Sequence, residues 1–322
     1  MRFIIYVNQK SKLFRMDDMI IDFFRNEYFY EVLSISKSVV GLAFLESAIN
    51  VKESILENIS ILDALCHHTG IENDDSFDFF EFMHKIKTEK EKGGIDLYVR
   101  TTLLKDKPID LNKNIFKYNN LAYRLLTGIL QSKLPGHLKN WVHKNIGEKN
   151  ANWELSEDGD RIGHDLNGIE NGLNGLRLTK EGALKLLYNA NRIFTTLQTT
   201  DVKIYPKLSF ESYFRAGLPQ NYDVYCYYGW YIIVFEGVIT GAFAIGFKNQ
   251  FICLDFVTKF YGIQFRVPFW DETVDEEAYD FLNRFFSQTP KMISESTTCS
   301  KTPDYTVEKF INIGKLKNLR KV

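Results

Sequence analysis

Apolar side chains recur at helical spacing through most of residues 1–200. Near the start, Met19, Ile20, Phe23 and Phe24 lie three and four residues apart with acidic residues among them. That spacing places the apolar side chains on one face and predicts an amphipathic helix. The same pattern predicts helices at residues 32–65 (one long helix or a core hairpin of two), 74–84, 115–130, 138–145, 166–178 and 179–196.

The pattern changes after residue 200, where short aromatic and β-branched runs alternate with Gly, Pro, Asn and Lys. Runs of this kind, separated by turn residues, are typical of an antiparallel meander. The predicted strands are residues 202–208, 222–228, 231–235, 238–247, 251–256 and 262–267, with one more short strand at residues 3–7. A helical pattern returns at residues 271–286, where Thr273 and Glu276 fit a capping box.

These patterns predict an α+β protein whose first two thirds are mainly helical, followed by an antiparallel β module and C-terminal helices. We expect a helical domain at residues 1–200, the β module at 201–270, and a C-terminal helix with a basic tail at 271–322.

One long apolar segment, residues 229–247, raises the alternative of a membrane helix because Glu236 is its one charged residue. Four glycines, many β-branched and aromatic residues, and a turn-like Lys-Asn-Gln sequence directly after it favour buried strands. We therefore predict no membrane association. The N-terminus lacks the pattern of a secretory signal peptide, and the sequence predicts a soluble cytoplasmic protein.

Charge and cysteine content narrow the choice of partners. Forty basic and 41 acidic side chains nearly cancel, so no overall field attracts nucleic acid or anionic membranes. The four cysteines are far apart and form no CxxC pair, which indicates free thiols. The histidines lack metal-ligand spacing, and the common dinucleotide, P-loop, GxSxG and HExxH motifs are absent. The sequence thus predicts neither a metal nor a cofactor.

Two further groups of residues are candidates for binding. The aromatic side chains Tyr225, Tyr228 and Trp230 could stack on bases or pack against a partner, and the absence of flanking Lys or Arg favours packing. In the basic tail, Lys315, Lys317 and Arg320 alternate with apolar residues as in an amphipathic helix. Such a tail could contact RNA, a membrane surface or a partner, or pack on its own domain.

The clearest family signal comes from three segments: NNLAYRLL from Asn119, RIGHDLN from Arg161 and IYP from Ile204. Together they resemble the HEPN superfamily of helical domains over residues 115–206. The Gly-His-Asp-Leu sequence also has a purely local explanation, because Asp165 can cap a helix that begins there. The resemblance implies a link to RNA cleavage or to microbial defence.

Catalytic HEPN ribonucleases place an Arg and a His at a dimer cleft, and the resemblance assigns these roles to Arg161 and His164. Only two residues separate them here, fewer than in the catalytic members. The prediction is therefore a non-catalytic HEPN-like scaffold, with Asp165 among its binding residues, in a microbial defence or toxin-antitoxin type system. The alternative is a metal-independent ribonuclease that uses Arg161 and His164. A protein partner is expected, with RNA as a second candidate ligand and a homodimer as a candidate assembly.

Overall fold

The structure, a computed structural model, describes residues 4–8, 29–56, 59–70, 115–153, 172, 175–208, 222–246, 250–257, 260–265 and 285–286. A six-stranded antiparallel sheet lies at its centre, with strand order β1-β11-β10-β9-β8-β7. Its strands are β1 (Ile4–Asn8), β7 (Tyr222–Tyr227), β8 (Trp230–Phe235), β9 (Val238–Gly246), β10 (Gln250–Asp255) and β11 (Phe260–Gln264).

Two tight hairpins set the register of the sheet. Tyr228 and Gly229 alone connect β7 to β8, and Glu236 and Gly237 alone connect β8 to β9. All four residues have positive φ, between 48° and 79°. A two-residue turn of this kind matches the twist of the strands that it joins.

Five shorter strands form small sheets beside the main one. In the first, β2 (Tyr30–Glu31), β6 (Arg177–Leu178) and β5 (Ala151–Asn152) pair in that order; in the second, β3 (Ser54–Leu56) pairs with β4 (Ile59–Ser60). The helices are α1 (Ile35–Leu45), α2 (Ile61–Leu65), α3 (Asn120–Lys133), α4 (His137–Asn145), α5 (Lys180–Phe194) and α6 (Thr199–Val202), with a 3-10 turn at Glu148–Asn150.

Helix α1 lies in the middle of the molecule. It contacts β9 and β10 on one side and α3 and α4 on the other, while α5 packs on β10 and β11. Ten of its eleven residues are buried. A helix surrounded in this way is apolar on every face apart from the few polar side chains that have partners inside the protein.

The main sheet is buried on both faces. Tyr225, Tyr227 and Ile232 belong to the large core cluster around α1, whereas Tyr222 and Phe243 belong to a second cluster on the opposite face. Strands covered on both faces read as continuous apolar runs. This explains the membrane-like composition of residues 229–247, within which β8 and β9 lie. None of the helices that the structure describes is long and apolar enough to cross a membrane.

The predicted fold class is wrong. Instead of a mainly helical first two thirds, the N-terminal segment provides β1, which pairs with β11 from the far end of the described chain. Residues 32–65 form α1, the β3–β4 hairpin and α2 rather than a long helix or a helical hairpin. The helix predicted at 166–178 ends in strand β6, and the strand predicted at 202–208 begins inside α6. Pairing between distant segments overrode the local patterns on which the predictions rested.

Candidate active site

A serine and a lysine lie one turn apart at the start of the central helix. Ser34 occupies the N-cap position of α1, and Lys37 follows three residues later. The Lys37 Nζ atom is 2.9 Å from the Ser34 Oγ atom, within hydrogen-bond distance. Because residues three apart share a helix face, this pairing follows directly from the spacing.

The turn before Ser34 is fixed by hydrogen bonds to β6 and its surroundings. The Ser36 hydroxyl donates to the Leu33 carbonyl (2.6 Å) and accepts the Leu176 amide (3.1 Å). Leu33 has a φ of 52°, in the left-handed region that costs a residue with a side chain roughly 1 kcal/mol. Strain of this kind persists only where the surroundings enforce it, and it is frequent beside reactive groups.

Strand β9 ends beside the same turn. A Cβ atom on Gly246, the last residue of β9, would collide with the carbonyl oxygen of Val32. The glycine therefore allows the end of the sheet to approach the backbone two residues before Ser34. In consequence, Ser34 lies at the junction between the main sheet and the helices.

The two side chains differ in their access to water. Ser34 is half-buried, whereas Lys37 is only 2% exposed. Burial lowers the pKa of Lys37 well below the ordinary value for lysine, because the charged ammonium is poorly solvated there. The pair therefore combines a reachable hydroxyl with an amine that readily exists in its neutral, basic form.

Tyr118 completes the group. Its hydroxyl is hydrogen-bonded to the Ser34 side chain, and its ring centre lies 4.9 Å from Lys37 Nζ. The tyrosine precedes α3, which begins at Asn120 and is capped by the Asn119 side chain through the Ala122 amide. Desolvation raises the pKa of Tyr118, so its hydroxyl stays protonated. It can thus pass a proton on, but it is a poor base.

This arrangement has the elements of nucleophilic catalysis. A serine hydroxyl is a weak nucleophile until an adjacent base removes its proton. Here the neutral Lys37 amine is in position to take that proton, and Tyr118 touches both groups. The start of α1 adds a favourable field for negative charge, because the first amides of a helix point outward from its N-terminus.

Comparison with solved structures gives a consistent answer about the architecture. A protein assigned as a β-lactamase from Bacteroides dorei DSM 17855 superposes with a TM-score of 0.61 at 12% identity, covering 85% of this chain and 91% of that chain. The penicillin-binding protein of Bacillus halodurans gives 0.55 at 13% identity, with 87% and 94% covered. Simvastatin synthase from Aspergillus terreus gives 0.57 at 11% identity, with 88% and 93% covered.

The chain has the β-lactamase and penicillin-binding-protein fold. No protein-family profile matches the sequence, and neither does any curated protein. At these identities the likeness concerns the fold, and the chemistry has to be argued from the residues of this chain.

The β-lactamase-like fold overturns the HEPN resemblance. The Asn119 segment that suggested it forms the capped start of α3 beside Ser34, and the Ile204 segment follows the short helix α6. The all-helical domain, the non-catalytic scaffold, the ribonuclease alternative and the links to RNA and defence were all wrong. Helix starts with Asn or Asp caps and apolar repeats occur in many folds, so these short matches carried little information.

Sequence reasoning missed the Ser34-Lys37 pair. Ser-x-x-Lys is the serine-nucleophile motif of class A β-lactamases and penicillin-binding proteins. The tetrapeptide Ser34-Ile35-Ser36-Lys37 was therefore a usable signal, one residue before the apolar stretch that begins at Val39. Tyr118 carries no comparable signal, because only folding brings it to Ser34.

The residues predicted to form a site have different locations. Trp230 is fully buried, and its indole N–H donates to the Ser38 carbonyl (3.0 Å). Tyr225 and Tyr228 are 7% and 6% exposed. The remaining candidates lie outside the described residues: Arg161, His164, Asp165, Lys315, Lys317 and Arg320. The predicted binding roles, the protein partner and the homodimer stay predictions.

Metal ligation has no visible basis in the part of the chain that the structure describes. Within it, no three His, Cys, Asp or Glu side chains are grouped so that they could hold an ion. Cys66, Cys226 and Cys253 are buried free thiols, and burial raises the pKa of each of them.

Proposed function

We propose that this protein is an acyl-transfer enzyme of the serine hydrolase type, which forms an acyl-enzyme on Ser34 and cleaves a carboxylic ester or amide. The observation that carries the proposal is the 2.9 Å approach of the Lys37 amine to the Ser34 hydroxyl at a site where Lys37 is excluded from water. A lysine whose pKa is lowered by burial is a competent general base.

In the first half-reaction, Ser34 Oγ attacks the carbonyl carbon of the substrate. An O–C bond forms, the carbonyl oxygen gains the electron pair of the C=O π bond, and the hydroxyl proton moves to Lys37. The intermediate then collapses, the bond to the leaving alkoxide or amine breaks, and a proton is returned to the leaving group. The Tyr118 hydroxyl, hydrogen-bonded to the Ser34 side chain, is placed to donate a proton to the leaving group, and the proton held on Lys37 then replaces it.

In the second half-reaction, water attacks the acyl group on Ser34. Lys37, neutral again, accepts a proton from the water, the Oγ–C bond breaks, and Ser34 recovers its proton as the carboxylic acid departs. An alcohol or amine in place of water would give acyl transfer to that acceptor. The same residues serve both outcomes, so the choice depends on which nucleophile reaches the acyl-enzyme.

The fold supports the proposal without fixing the substrate. Similar structures include a penicillin-binding protein, a simvastatin synthase, and a hydrolase described as having promiscuous acyltransferase activity. Those names span different substrates, which is the usual situation for a shared fold.

A turnover assay tests the proposal with three substrate types: p-nitrophenyl esters of short acids, a chromogenic cephalosporin, and a p-nitroanilide. We expect hydrolysis of at least one of them, and a loss of about 10³-fold or more in Ser34→Ala. Equal turnover by the wild type and Ser34→Ala would contradict the proposal. So would the absence of turnover together with the absence of covalent labelling at Ser34.

A further inference from the structure

One buried histidine next to this site has no role in the chemistry described above. His67 follows helix α2, is 2% exposed, and has a φ of 58°. A left-handed conformation is uncommon for residues other than glycine, although Asn, Asp and His adopt it more readily than most. In this conformation His67 lies next to Tyr118 and can bond the backbone on both sides of it.

His67 holds the backbone on both sides of Tyr118. The Lys117 amide donates to the His67 carbonyl oxygen at 3.0 Å, and the Asn119 amide donates to His67 Nδ1, also at 3.0 Å. The second bond assigns the ring state, because only an unprotonated Nδ1 can accept an N–H. His67 is thus neutral, with its proton on Nε2.

The imidazole ring also contacts the tyrosine itself. The ring centres of His67 and Tyr118 are 4.6 Å apart at an interplanar angle of 31°, and those of His67 and Tyr123 are 5.0 Å apart. Lys37 Nζ lies 4.9 Å from the centre of the Tyr118 ring. The tyrosine is therefore positioned by contacts with both residues while its hydroxyl reaches Ser34.

We propose that His67 is a positioning residue for the reaction: by accepting the Asn119 amide at Nδ1, it sets the Tyr118 hydroxyl against Ser34. The inference rests on the proposed function, because it concerns how the Tyr118 hydroxyl is held in place for the proton transfer. His67 itself touches neither the nucleophile nor the reacting carbonyl.

The surroundings keep His67 in the required state. Burial lowers the pKa of His67, and electrostatic interactions with Lys37 and His68 lower it further. The other groups that face it, Tyr118 and Tyr123, have raised pKa values and stay uncharged. A neutral acceptor at Nδ1 is therefore maintained through the neutral pH range.

Substitutions at position 67 can separate the acceptor from the ring. His67→Asn retains an acceptor near the place of Nδ1 and tolerates the positive φ, whereas His67→Phe retains a ring and loses the acceptor. His68→Phe is the matched control, since His68 is also buried but stacks on Tyr205, with ring centres 4.2 Å apart. The rate of Ser34 modification by an alkyl fluorophosphonate is measured for each, and melting temperatures verify folding.

We expect His67→Phe to react about tenfold or more slowly than the wild type, and His67→Asn and His68→Phe to stay within about threefold of it. The same measurement in a Tyr118→Phe background tests the route of action. If His67 acts through the Tyr118 hydroxyl, adding His67→Phe to Tyr118→Phe should change the rate by less than about twofold.

An equal loss from His67→Phe in both backgrounds, or an unchanged rate in His67→Phe, would overturn the inference while leaving the proposed function intact. A His67→Phe chain that does not fold leaves the test to His67→Asn, for which a loss of more than about tenfold would contradict the acceptor role. Failure of the wild type itself to react at Ser34 would instead overturn the proposed function.

Discussion

Lys37 Nζ and Ser34 Oγ lie 2.9 Å apart across one turn of α1, with the amine on the buried side and the hydroxyl on the half-exposed side. Burying a lysine amine costs free energy, and a protein tolerates such a group when it serves chemistry or has strong partners. The pair therefore makes separate predictions for reactivity and for stability.

Lys37→Met should lower reactivity and raise stability. Methionine fills a similar volume without an amine to desolvate, so we expect the free energy of unfolding to increase by about 1 kcal/mol. Without the base, modification of Ser34 by a fluorophosphonate should slow by about 10²-fold or more. Urea unfolding and labelling rates measure the two effects.

The control for this substitution is Lys139→Met, at an exposed lysine of α4. Its unfolding free energy should stay within about 0.5 kcal/mol of the wild type, with an unchanged labelling rate. If Lys37→Met destabilised the protein while labelling proceeded at the wild-type rate, Lys37 would be a structural residue rather than a base.

Stability should also depend on pH through Lys37. Its pKa in the folded protein is lowered, so between that pKa and the unfolded value of about 10.4 the chain takes up a proton on unfolding. The unfolded state then binds more protons, and stability rises with pH across this window. Below the folded pKa the penalty is fully present.

The comparison with Lys37→Met isolates this effect, since other titrating groups largely cancel. The stability advantage of Lys37→Met should shrink as pH rises through the window, by up to about 1.4 kcal/mol for each pH unit. Urea unfolding of both proteins between about pH 6 and about pH 9 measures this change. A stability advantage of Lys37→Met that grows with pH would contradict a lowered pKa of Lys37 in the folded protein.

Gly41→Ala tests how closely α1 packs on the turn between β7 and β8. A Cβ atom at Gly41 would overlap the carbonyl of Tyr228, whose neighbour Gly229 accepts the Ser38 hydroxyl at 2.7 Å. Backbone atoms on both sides leave little room for adjustment. We expect a loss of about 3 kcal/mol in the free energy of unfolding.

Gly237→Ala provides the comparison, because a Cβ there meets nothing within 4 Å and only the positive φ of 79° opposes it. That substitution should cost about 1 kcal/mol. Similar losses at the two glycines would mean that α1 does not pack tightly on the β7–β8 turn.

The sequence predicted local structure better than it predicted the fold. Strands β7, β8 and β9 lie where aromatic and β-branched runs predicted them, and the glycines of the two turns mark their ends. Local sequence patterns could not identify β11 as the partner of β1, because the pairing of Ile4 with Gln264 joins segments far apart in the chain. Helix α1 lies within the segment 32–65 that was predicted to be helical, but it is buried on nearly all sides and so has no single apolar face that would mark its bounds.

The candidate site likewise contains one part that local sequence could identify and one part that depends on long-range contacts. The Ser34 and Lys37 pair is local, and its spacing alone could have identified it. The contribution of Tyr118 depends on how residues 115–119 meet α1, and that of His67 depends on two backbone bonds made across a long sequence separation. Such contacts exist only after folding, so a local sequence pattern does not predict them.

The most direct test of the account is the site of covalent modification. The chain is treated with an alkyl fluorophosphonate, whose phosphorus bonds to the serine oxygen as fluoride leaves and Lys37 accepts the proton. Intact-mass and peptide mass spectrometry then locate the adduct, with Ser60→Ala as control, because Ser60 is also a helix N-cap hydroxyl but pairs with Asp63. We predict one adduct per chain on Ser34, retained in Ser60→Ala and absent from Ser34→Ala. An unmodified wild type, or an adduct that persists in Ser34→Ala, would contradict the assignment of Ser34 as the nucleophile.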